Sequence, residues 1–372
     1  MARDGAAMTT ATISARLKAI REQRRLSQEE VSRLFGFKDR QTLSAIETGE
    51  RRLSAEELVR AVEIFGVPLD FFTDPFLLVG EGKFSWRQTG IIGRGLVEYE
   101  RDAGRMIAAF RMLAPQVGKA APLLRRALGL SKDSSFEDAS AAGERFAAEF
   151  RLGDVPAARL AEIMEQELGM LVLMVDPIEG ASGAACRLPE LDVVLINRRE
   201  VPGRRHFDLA HELFHILTWD AMPPDHVEDV VPKRRNRVEQ LADNFASAVL
   251  MPSDVLSRYG DWSKLEGEEL VTRLNMAADE LRVTASALRW RLVGLGWIGK
   301  GLAEDRLRNN GRAKPAEERL PHLFSKSFVE VIAKATQEGR VAIRRVSYLL
   351  GLSIDDLAEL FMVHGVEAPY EL

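Results

Sequence analysis

Apolar side chains recur at three- and four-residue intervals along most of the chain, the spacing of helices that bury one face. Near the start Ile13, Leu17 and Ile20 keep this rhythm. Ser27, with Glu30 three residues later, is a capping-box pattern that opens a short helix through Val31 and Leu34, and Gly36 breaks it. Thr42, Leu43, Ser44, Ile46 and Glu47 predict another short helix ended by Gly49. Ser54 with Glu57 caps a further one that buries Leu58, Val62 and Phe65. Short helices this closely spaced around one apolar set predict a small all-α bundle over residues 12–75.

Asp74-Pro75 and the glycines at 80 and 82 mark a boundary, and "KFSWRQTG" follows. Met106, Phe110, Leu113, Leu123, Leu124 and Leu128 again fit helices, so residues 76–134 are expected to be a mostly helical connector. The serine- and alanine-rich run from Lys132 to Ala142 is the expected hinge. Ala139–Leu152 and Pro156–Leu168 read as amphipathic helices. Met170–Val175 and Leu191–Ile196 read as short β-branched-rich strands separated by a glycine-containing turn at 180–185, and a helix begins near His206. Helices before and after a small sheet predict an α+β domain over residues 135–300. Residues 301–372 open on a polar linker and return to helical spacing at Phe328, Val331, Ile332, Val346, Leu349, Leu350, Leu357, Leu360 and Phe361, which predicts a small packing or oligomerisation bundle. "AIRRVSYLLGLSIDDLAELF" has the outline of a second DNA-binding motif, but Asp355, Asp356 and Glu359 would repel DNA. The expected fold class is multidomain: an all-α head, an α+β domain and a helical C-terminal tail.

A chain of 372 residues exceeds one ordinary compact core, and 46% hydrophobic with 29% charged residues is the composition of a folded soluble protein. The formal net charge of -5 argues against a protein that coats nucleic acid everywhere and permits a locally basic module. Cys186 is the only cysteine, which excludes an intrachain disulfide framework and a Cys-rich zinc finger. Residues 1–12 lack the basic-then-apolar pattern of a secretory signal, and no window approaches about eighteen uninterrupted apolar residues. The expectation is a cytoplasmic protein with no membrane partner.

Arg16, Lys18, Arg21, Arg24 and Arg25 stand against the single acid Glu22, and phosphate attraction would begin there. The two central helices of the head have helix-turn-helix spacing, with the second able to enter a DNA major groove. The run "RLSQEEVSRLFGFKDRQTLSAIETGE" resembles the Cro/repressor class, the XRE family. That resemblance implies that Gln28 opens the supporting helix and contacts phosphate, while Lys38, Arg40, Gln41, Thr42 and Ser44 lie on or just before the recognition helix. Arg and Gln can pair with purine edges, and Thr or Ser with donors or acceptors. Phe37-Lys38-Asp39 departs from the small, capping or basic residues of many relatives, and Asp39 is placed to cap the recognition helix. The family commonly reads palindromes as dimers, so the resemblance implies operator DNA and a homodimer.

His211-Glu212-Leu213-Phe214-His215 puts two imidazoles one helical turn apart on one exposed face, able to grip a single metal ion with Glu212 beside them. A metzincin-type third ligand would need glycine at 218 and histidine at 221; Thr218 and Ala221 exclude it. The better third ligand lies in "VEQLADNFASAVLMP", where Glu239 and Asp243 stand one turn apart. Glu239 can complete the set, and Asp243 can accept a hydrogen bond from the non-coordinating nitrogen of a ligand histidine. This pair resembles the two-helix arrangement of gluzincins, and residues 135 to 298 resemble the ImmA/IrrE metallopeptidase family. "FDLAHELFHIL", "EQLADNFASAVLMP" and "LRVTASALRWRLVGLGWI" carry the likeness, the last through Val283, Ser286, Leu288, Arg291 and Leu292. Phe214 departs from it, since relatives often have glycine there.

The resemblance implies Zn2+ on His211, His215 and Glu239, with Glu212 as the catalytic carboxylate. Zinc would polarise a carbonyl and acidify water, while Glu212 passes a proton to the leaving amine. His206, His226 and Tyr259 are candidate oxyanion partners, each with a structural alternative. Cys186 as a thiolate on the open zinc position is a further alternative to an inert buried cysteine. The expected function is a DNA-binding transcriptional regulator with zinc endopeptidase activity, acting on a repressor, another regulatory protein or itself. The alternative is a non-catalytic regulator, or an antitoxin-like protein, that uses the peptidase fold for sensing or partner binding.

Overall fold

The computed structural model describes residues 2–88, 93–176, 180–229, 236–301, 307 and 320–369. The expected linker at the start of the tail lies mostly outside them. The head comprises α1 (Ala2–Gln23), α2 (Gln28–Phe35), α3 (Arg40–Glu47), α4 (Ala55–Phe65) and the short α5 (Asp70–Thr73). Both expected capping boxes form, with Ser27 and Ser54 accepting from the N–H groups of Glu30 and Glu57. Gly36 ends α2 at φ 70°, a left-handed conformation that costs glycine nothing and lets the chain turn sharply into α3. Leu17, Ile20, Val31, Phe35, Leu43, Ile46 and Phe65 meet in one apolar core.

Arg16 departs from the expected phosphate-facing role. It is fully buried, with Nε 3.1 Å from Glu81 and its terminal nitrogens donating to the carbonyls of Phe71 and Leu77. Its charge therefore fastens the head to the chain that follows. Arg21 is likewise turned inward on Glu47, at 2.6 and 3.0 Å. Lys18, Arg24 and Arg25 remain exposed.

A five-stranded sheet organises the rest, in the order β2-β4-β3-β1-β5. Its strands are β1 (Lys83–Gln88), β2 (Leu171–Val175), β3 (Ala181–Arg187), β4 (Asp192–Asn197) and β5 (Val227–Asp229). β2 runs parallel to β4, β3 is antiparallel to both β4 and β1, and β5 is parallel to β1. Three of these strands, β1, β3 and β5, were not expected. β1 comes from the segment read as a connector, and β3 fills the stretch read as a turn. The β3 sequence, Ala-Ser-Gly-Ala-Ala-Cys-Arg, lacks the β-branched and aromatic residues that announce a strand. Its small side chains suit a strand covered on both faces.

Around the sheet stand α6 (Gly93–Gln116), α7 (Phe136–Glu149), α8 (Pro156–Gln166), α9 (Pro202–Thr218), α10 (Arg237–Leu250), α11 (Ser253–Ser257), α12 (Gly267–Leu281), α13 (Ala285–Gly294), α14 (Lys326–Gln337), α15 (Ile343–Leu350) and α16 (Ile354–Val363). Alternate strand residues face two cores. Val172, Ala185, Val194 and Ile196 pack against α7 to α10, α12 and α13. Leu171, Leu173, Ala184, Cys186, Val193 and Leu195 pack against α6 and α14 to α16. The expected connector and tail bundle thus share a single core on one face of the sheet. Leu123, Leu124 and Leu128, expected to be helical, lie in a non-helical strap, where the Leu124 N–H donates to the Leu168 carbonyl at 3.0 Å. The expected hinge at 132–142 instead starts α7, with Ser135 and Asp138 forming a capping box and Ala139 and Ala142 buried. α9 starts at Pro202, ahead of His206, because proline suits the first helical turn.

α7 lies against α10 through Gly143, where an added Cβ would stand 2.5 Å from the Phe245 carbonyl oxygen and 2.9 Å from Ala248 Cβ. Gly143→Ala should lower unfolding free energy by about 1–3 kcal/mol, despite alanine's better helix propensity, because backbone must move to admit the methyl group. Urea unfolding of the two proteins checks this; equal midpoints would contradict it.

Candidate metal centre

α9 turns Leu209, Ala210, Leu213, Phe214 and Leu217 into the core and carries Asp208, His211, Glu212 and His215 on its other side. That second side was expected to be exposed. It is closed over instead, with His211 and His215 each 1% exposed and Glu212 2%. Phe214 packs on Phe245 of α10 at 5.6 Å between ring centroids, so the departure from glycine is absorbed by the α9–α10 contact. At the strand beneath, Gly183 presents no side chain; a Cβ there would stand 3.6 Å from Glu212 Cγ.

α10 brings Glu239 and Asp243 to the two histidines. His211 Nε2 lies 3.1 Å from Glu239 Oε2 and 3.1 Å from His215 Nε2, and His215 Nε2 lies 3.2 Å from Glu239 Oε1. One donor atom from each residue falls within 4.8 Å of the others. Donor atoms about 2.0–2.1 Å from a tetrahedral ion would be about 3.3 Å apart, so two imidazoles and a carboxylate at these separations fit a zinc-like ion. His211 Nδ1 donates to Asp243 Oδ1 at 3.1 Å, which fixes the tautomer and turns Nε2 toward the cluster.

Burial and the nearby Arg87 both disfavour a charged His211, yet Glu239 and the hydrogen bond to Asp243 outweigh them and push its pKa up to about 10. Burial would raise the Glu239 carboxyl, but the two histidines hold it well below its usual range. Glu212 goes the other way: burial raises it, only partly offset by His215, His211 and Arg87. Its Oε1 is buried with no hydrogen-bond partner among the described residues. A raised, unpaired carboxylate beside a metal-type cluster is suited to moving protons.

Arg87 and Asp208 belong to the same site and were not singled out in the sequence. Arg87 of β1 pairs with Asp208, one turn before Glu212 on α9. The only hint of β1 was the alternation in "KFSWRQ", and nothing local ties it to a helix some 120 residues away. The expected oxyanion candidates are engaged elsewhere. His206 Nδ1 lies 2.8 Å from the Arg282 carbonyl, His226 lies 2.8 Å from Glu100, and burial with the nearby Glu280 raises the Tyr259 hydroxyl. Cys186 points to the opposite face of the sheet, and burial pushes its thiol up, so the thiolate-on-zinc alternative fails. Val283, Leu288 and Leu292 are buried in the core shared with α9, and Arg291 donates to the Met251 carbonyl at 3.1 Å.

In the head, Lys38, Arg40 and Gln41 are exposed at the start of α3, and Thr42 and Ser44 are half-buried. Asp39 caps α3, accepting from the Thr42 N–H at 3.0 Å and lying 3.2 Å from its hydroxyl. Gln28 Nε2 donates to Glu47 at 2.9 Å, bracing α2 against α3.

Two parts of the chain match known families. Residues 17–72 match the family described as Helix-turn-helix, and residues 166–292 match that described as IrrE N-terminal-like domain. The chain is similar to the radiation response metalloprotease IrrE of Deinococcus deserti, at 34% identity over 97 residues, covering 24% of this chain and 34% of that relative. The alignment therefore spans about a third of the relative's length.

A histidine held above its usual value of 6.5 stabilises the fold fully below that pH and loses this contribution as the pH rises through about 10. Chelator-treated protein should therefore lose stability to urea between those limits, and Glu239→Gln should flatten the slope. Zinc uptake near pH 7 should release about one proton, read by calorimetry in buffers of different ionisation heat. A pH-independent urea midpoint would contradict the assignment.

Proposed function

We propose that this chain, an XRE/Cro-type helix-turn-helix domain fused to an IrrE/ImmA-family peptidase-like domain, is a DNA-binding transcriptional regulator with zinc-dependent endopeptidase activity. The observation that carries the reading is the His211, His215 and Glu239 cluster beside Glu212, whose buried Oε1 has no hydrogen-bond partner among the described residues. His211, His215 and Glu239 would hold the ion, and ligands shared between α9 and α10 support a gluzincin-type arrangement. Bound there, zinc would supply a Lewis acid that polarises a peptide carbonyl and eases deprotonation of water.

The chain's own groups do the rest. Glu212 takes a proton from the attacking water as its oxygen adds to the carbonyl carbon, then gives that proton to the amine nitrogen as the C–N bond breaks. Burial makes this carboxylate more basic than a solvated one. Asp243 keeps the His211 ring oriented. In the head, Gln28 contacts phosphate while Lys38, Arg40, Gln41, Thr42 and Ser44 meet operator DNA, read by a homodimer in the cytoplasm. The substrate is a repressor, another regulatory protein or the chain itself. The description of the Deinococcus relative as a radiation response metalloprotease extends the proposal to a stress response.

Glu212→Gln should keep its zinc and lose cleavage of proteins encoded by neighbouring genes by about 10²–10⁴-fold. Equal cleavage by the two proteins, or none by the zinc-loaded wild type with and without DNA, would overturn the enzyme reading in favour of a non-catalytic or antitoxin-like regulator. Arg40→Ala and Gln41→Ala should each weaken binding to the promoter of the chain's own gene by about 1–3 kcal/mol, with cleavage unchanged. Unchanged binding in a mobility-shift titration would remove their assigned role.

A further inference from the structure

The side chain closest in kind to an oxyanion partner comes from outside the peptidase-like match, which begins at residue 166. β1 pairs with β3 so that Arg87 stands opposite Gly183, the residue beneath Glu212. Trp86 enters the core on the far face of the sheet, and alternation along the strand sends Arg87 to the α9 face. There it is anchored to Asp208, which is itself 2% exposed, while 13% of the arginine side chain remains open to solvent. A guanidinium carries five N–H donors, and among the described residues Arg87 uses one, on Asp208 Oδ1. The charge thus sits in a nearly closed site beside Glu212, Glu239 and Asp243, held from one end with donors to spare.

We propose that Arg87 is a substrate-binding residue, whose remaining N–H groups take the carbonyl oxygen of the scissile peptide and the negative charge that develops on it. The inference deepens the peptidase reading and rests on it. As the water oxygen adds to the carbonyl carbon, the π electron pair moves onto the carbonyl oxygen facing Arg87. The pair returns when the C–N bond breaks, and Glu212 delivers the proton to the departing nitrogen. Donors fixed in advance and shielded from water are the arrangement that stabilises such an anion most effectively. Asp208 is the positioning residue, holding the guanidinium in place through a single N–H.

The test uses the zinc-loaded full chain and a Gly-Leu phosphonamidate, whose tetrahedral anionic phosphorus replaces the scissile carbonyl. Removing both charges in the double variant Arg87→Met, Asp208→Asn avoids stranding a buried carboxylate. Zinc content, thermal unfolding and the phosphonamidate Kd are measured together. The double variant should fold, retain zinc and bind about 10- to 100-fold more weakly than wild type. Arg87→Lys, which keeps a cation opposite Asp208 but not the planar fork, should fall between. Should the double variant fail to fold or to hold zinc, Arg87→Lys decides: weaker binding with intact unfolding and zinc supports the role, and wild-type affinity overturns it. Equal affinity in a folded double variant, or no phosphonamidate binding by wild type, also overturns it. Arg87-dependent binding without Glu212-dependent cleavage would support the anion-binding role and remove the peptidase reading alone.

Discussion

Burying two imidazoles, four carboxylates and a guanidinium within one cluster is the constraint to which the rest of the molecule answers. Each of these groups, taken singly out of water, would be expensive to bury. They persist because their charges are arranged in sequence: Arg87 against Asp208, His211 between Glu239 and Asp243, His215 against Glu239. Glu212 has one buried oxygen without a hydrogen-bond partner among the described residues, and burial raises its carboxyl. The same asymmetry that pairs the other charges leaves this carboxylate available for chemistry.

No single segment could assemble that set. α9 supplies Asp208, His211, Glu212 and His215, α10 supplies Glu239 and Asp243, and β1 supplies Arg87. The sheet joins them, with small residues on β3 allowing α9 to lie close above it. On the opposite face, α6 and the C-terminal helices complete a second core, so chain from both flanks of the peptidase-like region supports the strands beneath the site. The helix-turn-helix head is tied to this body by Arg16 on Glu81 and by Arg345 on Asp74. β1 begins two residues after Glu81, so the strand that carries Arg87 starts next to the head's principal ion pair.

Features resting on short-range physics were legible in advance. The capping pairs Ser27–Glu30 and Ser54–Glu57, the left-handed Gly36 and the apolar spacing of Leu17, Ile20, Val31 and Leu43 all concern residues within a few positions of one another. The juxtaposition of His211 and His215 follows from helical pitch, and Glu239 with Asp243 likewise. β1 was less legible because a strand is defined by its partners, and β3 lies about a hundred residues away, whereas β3, though paired with the nearby β4, lacks β-branched and aromatic residues. The Lys132–Ala142 segment misled for a related reason: serine and alanine suit a hinge, but alanine also suits a helix pressed tightly against another. Arg16 and Arg21 read as part of a phosphate-attracting cluster because their partners, Glu81 and Glu47, are distant in sequence.

The sequence by itself determined the helical head, the turn-spaced histidines and the carboxylates able to join them, because local periodicity and capping act over one or two helical turns. Tertiary structure decided that the histidine face is buried, that neighbouring carboxylates raise the His211 pKa, that Cys186 faces away and that Arg87 reaches Asp208. Those outcomes depend on which distant elements share a sheet and which face each strand residue takes. A shift of one residue in the β1–β3 register would send Arg87 to the opposite core; the alternation within β1 sets which residues share a face, but not which distant strand they meet.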